Sequence, residues 1–214
     1  PTVAPDNPKI RVDNIDKSEI EYAAGLLKSN KAPGSDESIT AELLKNGGDC
    51  ILQIILLICI AVYNGAQPPW QWTTNQICPV PKKGNLSLMT NYRGISLMSA
   101  AAKLYNRVLL NRIRTIIDSI PRRNQAGFRP GRGTISQINT LRRLFEGATQ
   151  KGLSLVAIFV DFKKAFDSIN REMMFKILRS YGIPEKIVNA IKILYDNSRG
   201  MVKVNGELAE PFGI

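Results

Sequence analysis

An α+β fold is predicted by three features of the 214-residue sequence. Stretches with helical apolar spacing are interspersed with short β-prone runs instead of repeating in strict βα units. Two of those runs are joined by a basic turn, Lys82-Lys83-Gly84, and another pair by Asn205-Gly206, the word of a tight hairpin. One unbroken apolar run rich in β-branched residues, 155–160, lies between the helical stretches.

Taken in order, residues 1–11 are polar and proline-rich and read as a poorly ordered lead-in. Residues 16–29 read as a helix. Asp16 caps it, Glu19 stands three residues on in capping-box position, and Ile20, Ala23, Ala24 and Leu27 form an apolar stripe. Pro33-Gly34 makes 31–38 a loop, and a helix follows from 39 until Gly47 and Gly48 close it. Residues 50–63 are apolar except for Gln53. At fourteen residues the run falls short of the roughly 20 needed to cross a bilayer, so a buried core helix is expected, stopped by Asn64, Gly65 and Pro68-Pro69. Residues 76–81 and 91–97 read as strands flanking the basic loop. Residues 99–119 form a long amphipathic helix with Leu104, Val108, Ile113 and Ile116 on its apolar side and Lys103, Arg107 and Arg114 near one another on another face.

A glycine-rich loop covers 121–133, and Thr134 reads as the N-cap of a helix over 136–148. The run 155–160 suits a strand covered on both faces and delivers Asp161 to its end. Helices follow over 171–181 and 184–197, with Gly182 closing the first and Pro184 opening the second. A hairpin turning at Asn205-Gly206 comes last.

The net charge of +11 is unevenly spread: −3 over residues 1–78, +10 over 79–132 and +4 over 133–214. So concentrated a field suits a polyanion such as nucleic acid, the other reading being a solvated basic face. Three cysteines, Cys50, Cys59 and Cys78, do not make a disulfide framework, so reduced thiols and an intracellular protein are expected. Histidine is absent, which excludes a His-based zinc site and a Ser-His triad. Any metal must sit on carboxylates, which favours magnesium-type chemistry. No signal peptide is apparent, and no membrane span is expected.

Asp161 has two readings: a cap for the turn that follows it, or a carboxylate held by a strand end for polar chemistry. Asp167 is the weaker candidate and could equally cap the helix beginning near Arg171. The hairpin flanking Lys82-Lys83-Gly84 reads as a clamp for a triphosphate, with cationic side chains projecting from a rigid turn.

The words Phe-Val-Asp-Phe-Lys-Lys-Ala-Phe-Asp-Ser (159–168), Asn-Tyr-Arg-Gly-Ile-Ser-Leu (91–97) and Gln-Ala-Gly-Phe-Arg-Pro-Gly-Arg-Gly-Thr-Ile-Ser-Gln-Ile (125–138) together resemble the reverse transcriptases of LINE-type (non-LTR) retrotransposons. The resemblance implies part of a right-hand polymerase: a flexible lead-in at 1–14, helical and hairpin fingers over 15–150 and the first part of an incomplete palm sheet over 151–214. It implies that Asp161 is catalytic and that Asp161 and Phe162 hold magnesium. Phe166 would stack under the sugar of the incoming nucleotide. Lys82, with Lys83 as an alternative, and Arg93 would hold its phosphates, and Gln125, Phe128 and Arg129 would touch template and nucleotide. Residues 28–45 resemble a template-contacting segment of the same polymerases, although Ser35 and Glu37 replace its usual Pro and Gly, and a negative Glu37 argues against a phosphate contact.

Two-metal phosphoryl transfer needs several oxygen anions, and Asp-Asp occurs nowhere in the 214 residues. The family's Gln-Gly motif and Tyr-x-Asp-Asp hairpin are likewise absent. The expected function is therefore that of a fragment of an RNA-directed DNA polymerase, binding template RNA, RNA–DNA hybrid and dNTP but inactive alone. The alternatives are a non-catalytic nucleic-acid-binding remnant of such a polymerase and a protein-binding adaptor. An unpaired palm strand would leave an open edge, so self-association, or a partner such as the rest of the polymerase, is expected there.

Overall fold

A computed structural model of the protein describes residue 7, residues 9–36 and residues 38–214. Glu37 therefore lies outside the described residues, as does most of the proline-rich start. The described residues contain eight α-helices and a small mixed sheet of five strands, the α+β fold expected. They form two compact units. One runs up to Ile113 and resumes over Phe175–Ile214; the other is Arg114–Met174.

The first unit begins with α1 (Lys17–Gly25), where Asp16 accepts from the Glu19 N–H and the Glu19 carboxylate accepts from the Asp16 N–H, completing the capping box. After a loop come α2 (Ala41–Asn46), capped by Thr40, and α3 (Gly48–Tyr63). Here the sequence expectation is corrected. α3 is buried along one face only, through Ile55, Cys59, Val62 and Tyr63, while Ile54 and Leu57 are exposed. Its main neighbours in this unit are α1, α2 and α8 (Glu185–Asp196).

A short α4 (Trp70–Thr73) leads into β1 (Thr74–Pro81), which pairs antiparallel with β2 (Tyr92–Leu97) and parallel with β3 (Arg199–Val204). β3 also pairs with β4 (Glu207–Leu208) and β5 (Phe212–Gly213). The β3–β4 turn has Asn205 and Gly206 at φ 52° and 89°, both in the left-handed region that an Asn-Gly hairpin supplies. Pro79 and Pro81 are tolerated in β1 because β3 pairs it only as far as Ile77, so the missing N–H groups cost no ladder bond on that side.

α5 (Ala100–Ser119) starts behind Ser99, whose hydroxyl accepts from the Ala102 N–H, and buries Leu104, Tyr105, Val108, Leu109 and Ile113. On the same buried side lies Arg112, its side chain 2% exposed. Its guanidinium donates to both Glu19 carboxylate oxygens at 2.7 and 2.6 Å, to the Asp13 and Asn14 carbonyls at 2.7 and 3.1 Å, and to the Arg11 carbonyl at 3.5 Å. It also sits over the Tyr63 ring, 5.0 Å from the centroid. One side chain thus ties α5 to α1, α3 and the stretch just before α1. The other half of the unit is closed by α7 (Arg171–Ser180), whose Phe175 packs edge-on against Tyr195 of α8.

The second unit holds the end of α5, the loop 120–133 and α6 (Thr134–Gln150). Thr134 is the first helical residue and not the cap; Gly133 occupies the N-cap position and gives no side-chain bond. Residues 154–162 carry a further correction. They form no strand and pair with no strand among the described residues, and Val156 and Ile158 are 84% and 83% exposed. A strand exists by virtue of its neighbours, and β-branched composition alone supplies no partner for its N–H and C=O groups. The start of α7 is capped by Asn170, whose side chain accepts from the Met173 N–H at 2.9 Å, so Asp167 is not that cap.

Candidate functional site

In the first unit the β1–β2 hairpin is braced at its tip. The Lys82 N–H donates to the Asn91 carbonyl at 2.7 Å, extending the ladder by one pair beyond Pro81 and Tyr92. The Asn91 side-chain amide donates to the Asn85 carbonyl at 2.6 Å, and the Tyr92 hydroxyl to that of Leu86 at 3.1 Å. Arg93 stands opposite Val80. Side chains alternate along a strand and opposed residues share a face. Lys82 and Arg93 therefore project from one face as diagonal neighbours, both exposed, while Lys83 falls beyond the ladder. Two cations on one face of a stiff turn can neutralise adjacent phosphates.

In the second unit the loop 121–133 carries the remaining basic and aromatic candidates. Phe128 is 93% exposed with φ 60°, an unusual conformation for an aromatic residue. Its ring meets that of Phe166 edge to face, 5.9 Å between centroids. The structure thus brings together two residues 38 apart that the sequence singled out for nucleotide contacts. Arg129 is more engaged than its place in a glycine-rich loop suggests. Its guanidinium donates to the Asp118 carbonyl at 3.0 Å and the Arg122 carbonyl at 3.2 Å, bracing the loop against the end of α5. Gln125 is exposed, its amide reaching the Gly127 carbonyl at 3.5 Å. Asp161 and Phe162 are exposed within the irregular stretch, just before a turn closed by the Ser168 N–H on the Lys164 carbonyl.

The residue that sequence reasoning missed is Arg112. The signal was its place on α5: it follows Leu104 and Val108 at four-residue spacing, on the stripe that must be buried. Glu19, noted only as a capping-box residue, is the carboxylate that receives it.

The sequence profile described as reverse transcriptase (RNA-dependent DNA polymerase) matches residues 80–213, a span that encloses all the site residues named above from Lys82 to Phe166. The chain belongs to the reverse transcriptase family. Relatives of this reverse transcriptase chain come from LINE-type elements. A protein of transposon TX1 of Xenopus laevis is 26% identical over 197 residues, covering 92% of this chain and 15% of that protein. A probable RNA-directed DNA polymerase from transposon BS of Drosophila melanogaster is 29% identical over 196 residues, covering 90% of this chain and 21% of that protein. A Pol polyprotein from the retrotransposable element R2 of Popillia japonica is 26% identical, covering 89% of this chain and 26% of that protein. This reverse transcriptase chain therefore spans about a quarter or less of the length of the relatives it matches.

The family implies a divalent metal. Among the described residues no three Asp, Glu, Cys or His side chains converge where they could hold an ion. Asp161 alone does not make a two-metal centre, so the donors in this chain do not fit the group by themselves. Among the described residues no helix is long and apolar enough to cross a membrane.

Proposed function

We propose that this chain is the fingers and first part of the palm of a LINE-type retrotransposon polymerase whose whole protein carries out RNA-directed DNA synthesis. The observation that carries the reading is the family match over residues 80–213, with a braced hairpin inside it that puts Lys82 and Arg93 on one face. In this reading Lys82 and Arg93 hold the triphosphate of an incoming dNTP and offset the charge gathering on the leaving pyrophosphate. Phe166, with Phe128 against its edge, offers an aromatic wall to the sugar. Gln125, Arg129 and the basic segment 79–132 hold template RNA and RNA–DNA hybrid mainly through the backbone. In the whole protein Asp161 and the Phe162 position would help hold magnesium, with the further carboxylates supplied from outside these 214 residues.

The test joins this chain to the remaining polymerase portion of the transposon BS relative and measures primer extension on an RNA template. Asp161→Ala is expected to lower extension roughly a hundredfold or more, while the affinity of the 214-residue chain for single-stranded RNA stays unchanged. Extension by Asp161→Ala at the parent rate would overturn the reading.

A second reading is a nucleic-acid-binding remnant without catalysis, which the concentrated charge of the basic segment 79–132 would serve equally well. RNA affinity with no extension in any such fusion would select it, and negligible RNA affinity at moderate salt would leave only a protein-binding role.

A further inference from the structure

A cavity of about 450 Å³ opens in the first unit between the end of α1, the loop before α2, the β2–α5 junction and the first half of α5. Its wall includes Leu26, Leu27, Pro33, Met98 and Leu110. Four cations also line it, Lys28, Lys31, Lys103 and Arg107, and among the described residues no acidic one does. Lys103 and Arg107 are one helical turn apart on α5 and both half-buried. None of the four has a carboxylate within ion-pair distance among the described residues. Glu42 on α2 is occupied instead by the Asn30 N–H at 2.6 Å.

Burial lowers the pKa of Lys103, the mark of an ammonium losing water without gaining a counter-charge. A half-buried cation in that condition is relieved by an anion. The volume lies in the range of small-ligand pockets, roughly 300–1,000 Å³. An apolar wall beside four lining cations suits a ligand with a flat, largely apolar body and an anionic end, and every nucleobase offers such a face.

We infer that this cavity takes one unstacked nucleotide, its base against Leu27 and Met98 and its phosphate among Lys28, Lys31, Lys103 and Arg107. The nucleotide is either free or one unit of a single strand; the chemistry recognised is the same. This goes beyond a surface contact between template and residues 28–45, and beyond phosphate tracking along α5, because it requires a single base and its own phosphate to be held together. It involves neither Asp161 nor the hairpin cations, so it stands or falls independently of the polymerase reading.

The experiment titrates the 214-residue chain with adenosine monophosphate, adenosine and inorganic phosphate by calorimetry at low salt. The monophosphate is expected to bind at least about tenfold more tightly than either part. Lys103→Gln and Arg107→Gln should each weaken it about tenfold, with circular dichroism unchanged. On the unaltered protein, 8-azidoadenosine monophosphate should label peptides within residues 26–41 and 98–110, a readout that needs no variant to fold. Hexaadenylate displacing the label more strongly than the mononucleotide would identify a strand as the source, and displacement no stronger would identify free nucleotide. Labelling confined to the hairpin at 82–93, or monophosphate binding no tighter than phosphate alone, would overturn the inference.

Discussion

Gly34 has no room for a side chain: a Cβ there would lie 2.5 Å from the Met98 carbonyl oxygen, against main chain that cannot swing aside. The loop between α1 and α2 therefore seats on the β2–α5 junction, and the Ser35 hydroxyl fastens it by donating to the Gln71 carbonyl at 2.7 Å. Gly34→Ala should cost about 1–3 kcal/mol in urea unfolding; a loss within error would mean that the loop lifts freely. Asp16 bears on acid stability. A hydrogen bond from the Ser18 hydroxyl, then one from the Glu19 N–H, with Arg11 adding to both, hold its carboxyl at about 2, below the ordinary 3.8. Because the folded value lies below the unfolded one, the contribution is present above the ordinary value and is lost as pH falls through about 2. Asp16→Asn should flatten the pH dependence of unfolding between about pH 4 and about pH 2, and an unchanged slope would count against the cap. Burial pushes the Cys59 thiol up to about 12, whereas Cys50 is exposed on the same helix. Iodoacetamide at about pH 8 should alkylate Cys50 well before Cys59, as peptide mapping over time would show.

Among the elements, α5 carries the most. Its Arg112 is buried with a carboxylate and main-chain carbonyls filling its donors, so removing one partner leaves the rest stranded. Arg112→Met should destabilise the protein by about 3 kcal/mol, and Glu19→Gln by less, because the amide still accepts. Equal small losses, below about 0.5 kcal/mol, would show the pair to be incidental. How much could be read in advance follows from what each element depends on. The capping box at Asp16, the tight turn at Asn205-Gly206 and the strands around Lys82 rest on local chemistry a few residues long, and they stand where the sequence puts them. The face of α5 bearing Leu104 and Val108 was legible from its spacing, but the partners of Arg112 come from residues about a hundred positions away. Residues 155–160 have the composition of a buried strand, yet a strand is completed by others, and no described segment pairs with them. The half-covered α3 fails for the same reason: apolar content says that a helix can be buried, while its neighbours decide on how many sides. At the candidate site, the shared face of Lys82 and Arg93 was latent in the hairpin register, whereas the meeting of Phe128 and Phe166 was not, because it depends on how two irregular stretches lie within their unit.

For the molecule as a whole, charge and exposed apolar surface point to different partners. The basic segment 79–132 should make the affinity for single-stranded RNA fall with salt, with a log–log slope of about 0.7 for each phosphate neutralised. Replacing Arg122 and Arg123 with Gln should reduce that slope, and a salt-independent affinity would exclude backbone binding. The open run from Val156 to Phe162 should drive association at micromolar concentration or be covered by the rest of a polymerase. Light scattering that finds a well-behaved monomer, unchanged by Ile158→Lys, would remove that expectation. The stretch before α1 also limits how far the protein can be trimmed. Three of the carbonyls that receive Arg112 belong to Arg11, Asp13 and Asn14. A deletion that begins the polypeptide at Ile15 would keep every described helix and strand yet strip the Arg112 guanidinium of these acceptors and of the chain that covers it. Domain boundaries drawn from secondary structure alone would make that cut, and the shortened product should melt earlier and be the first species a protease consumes.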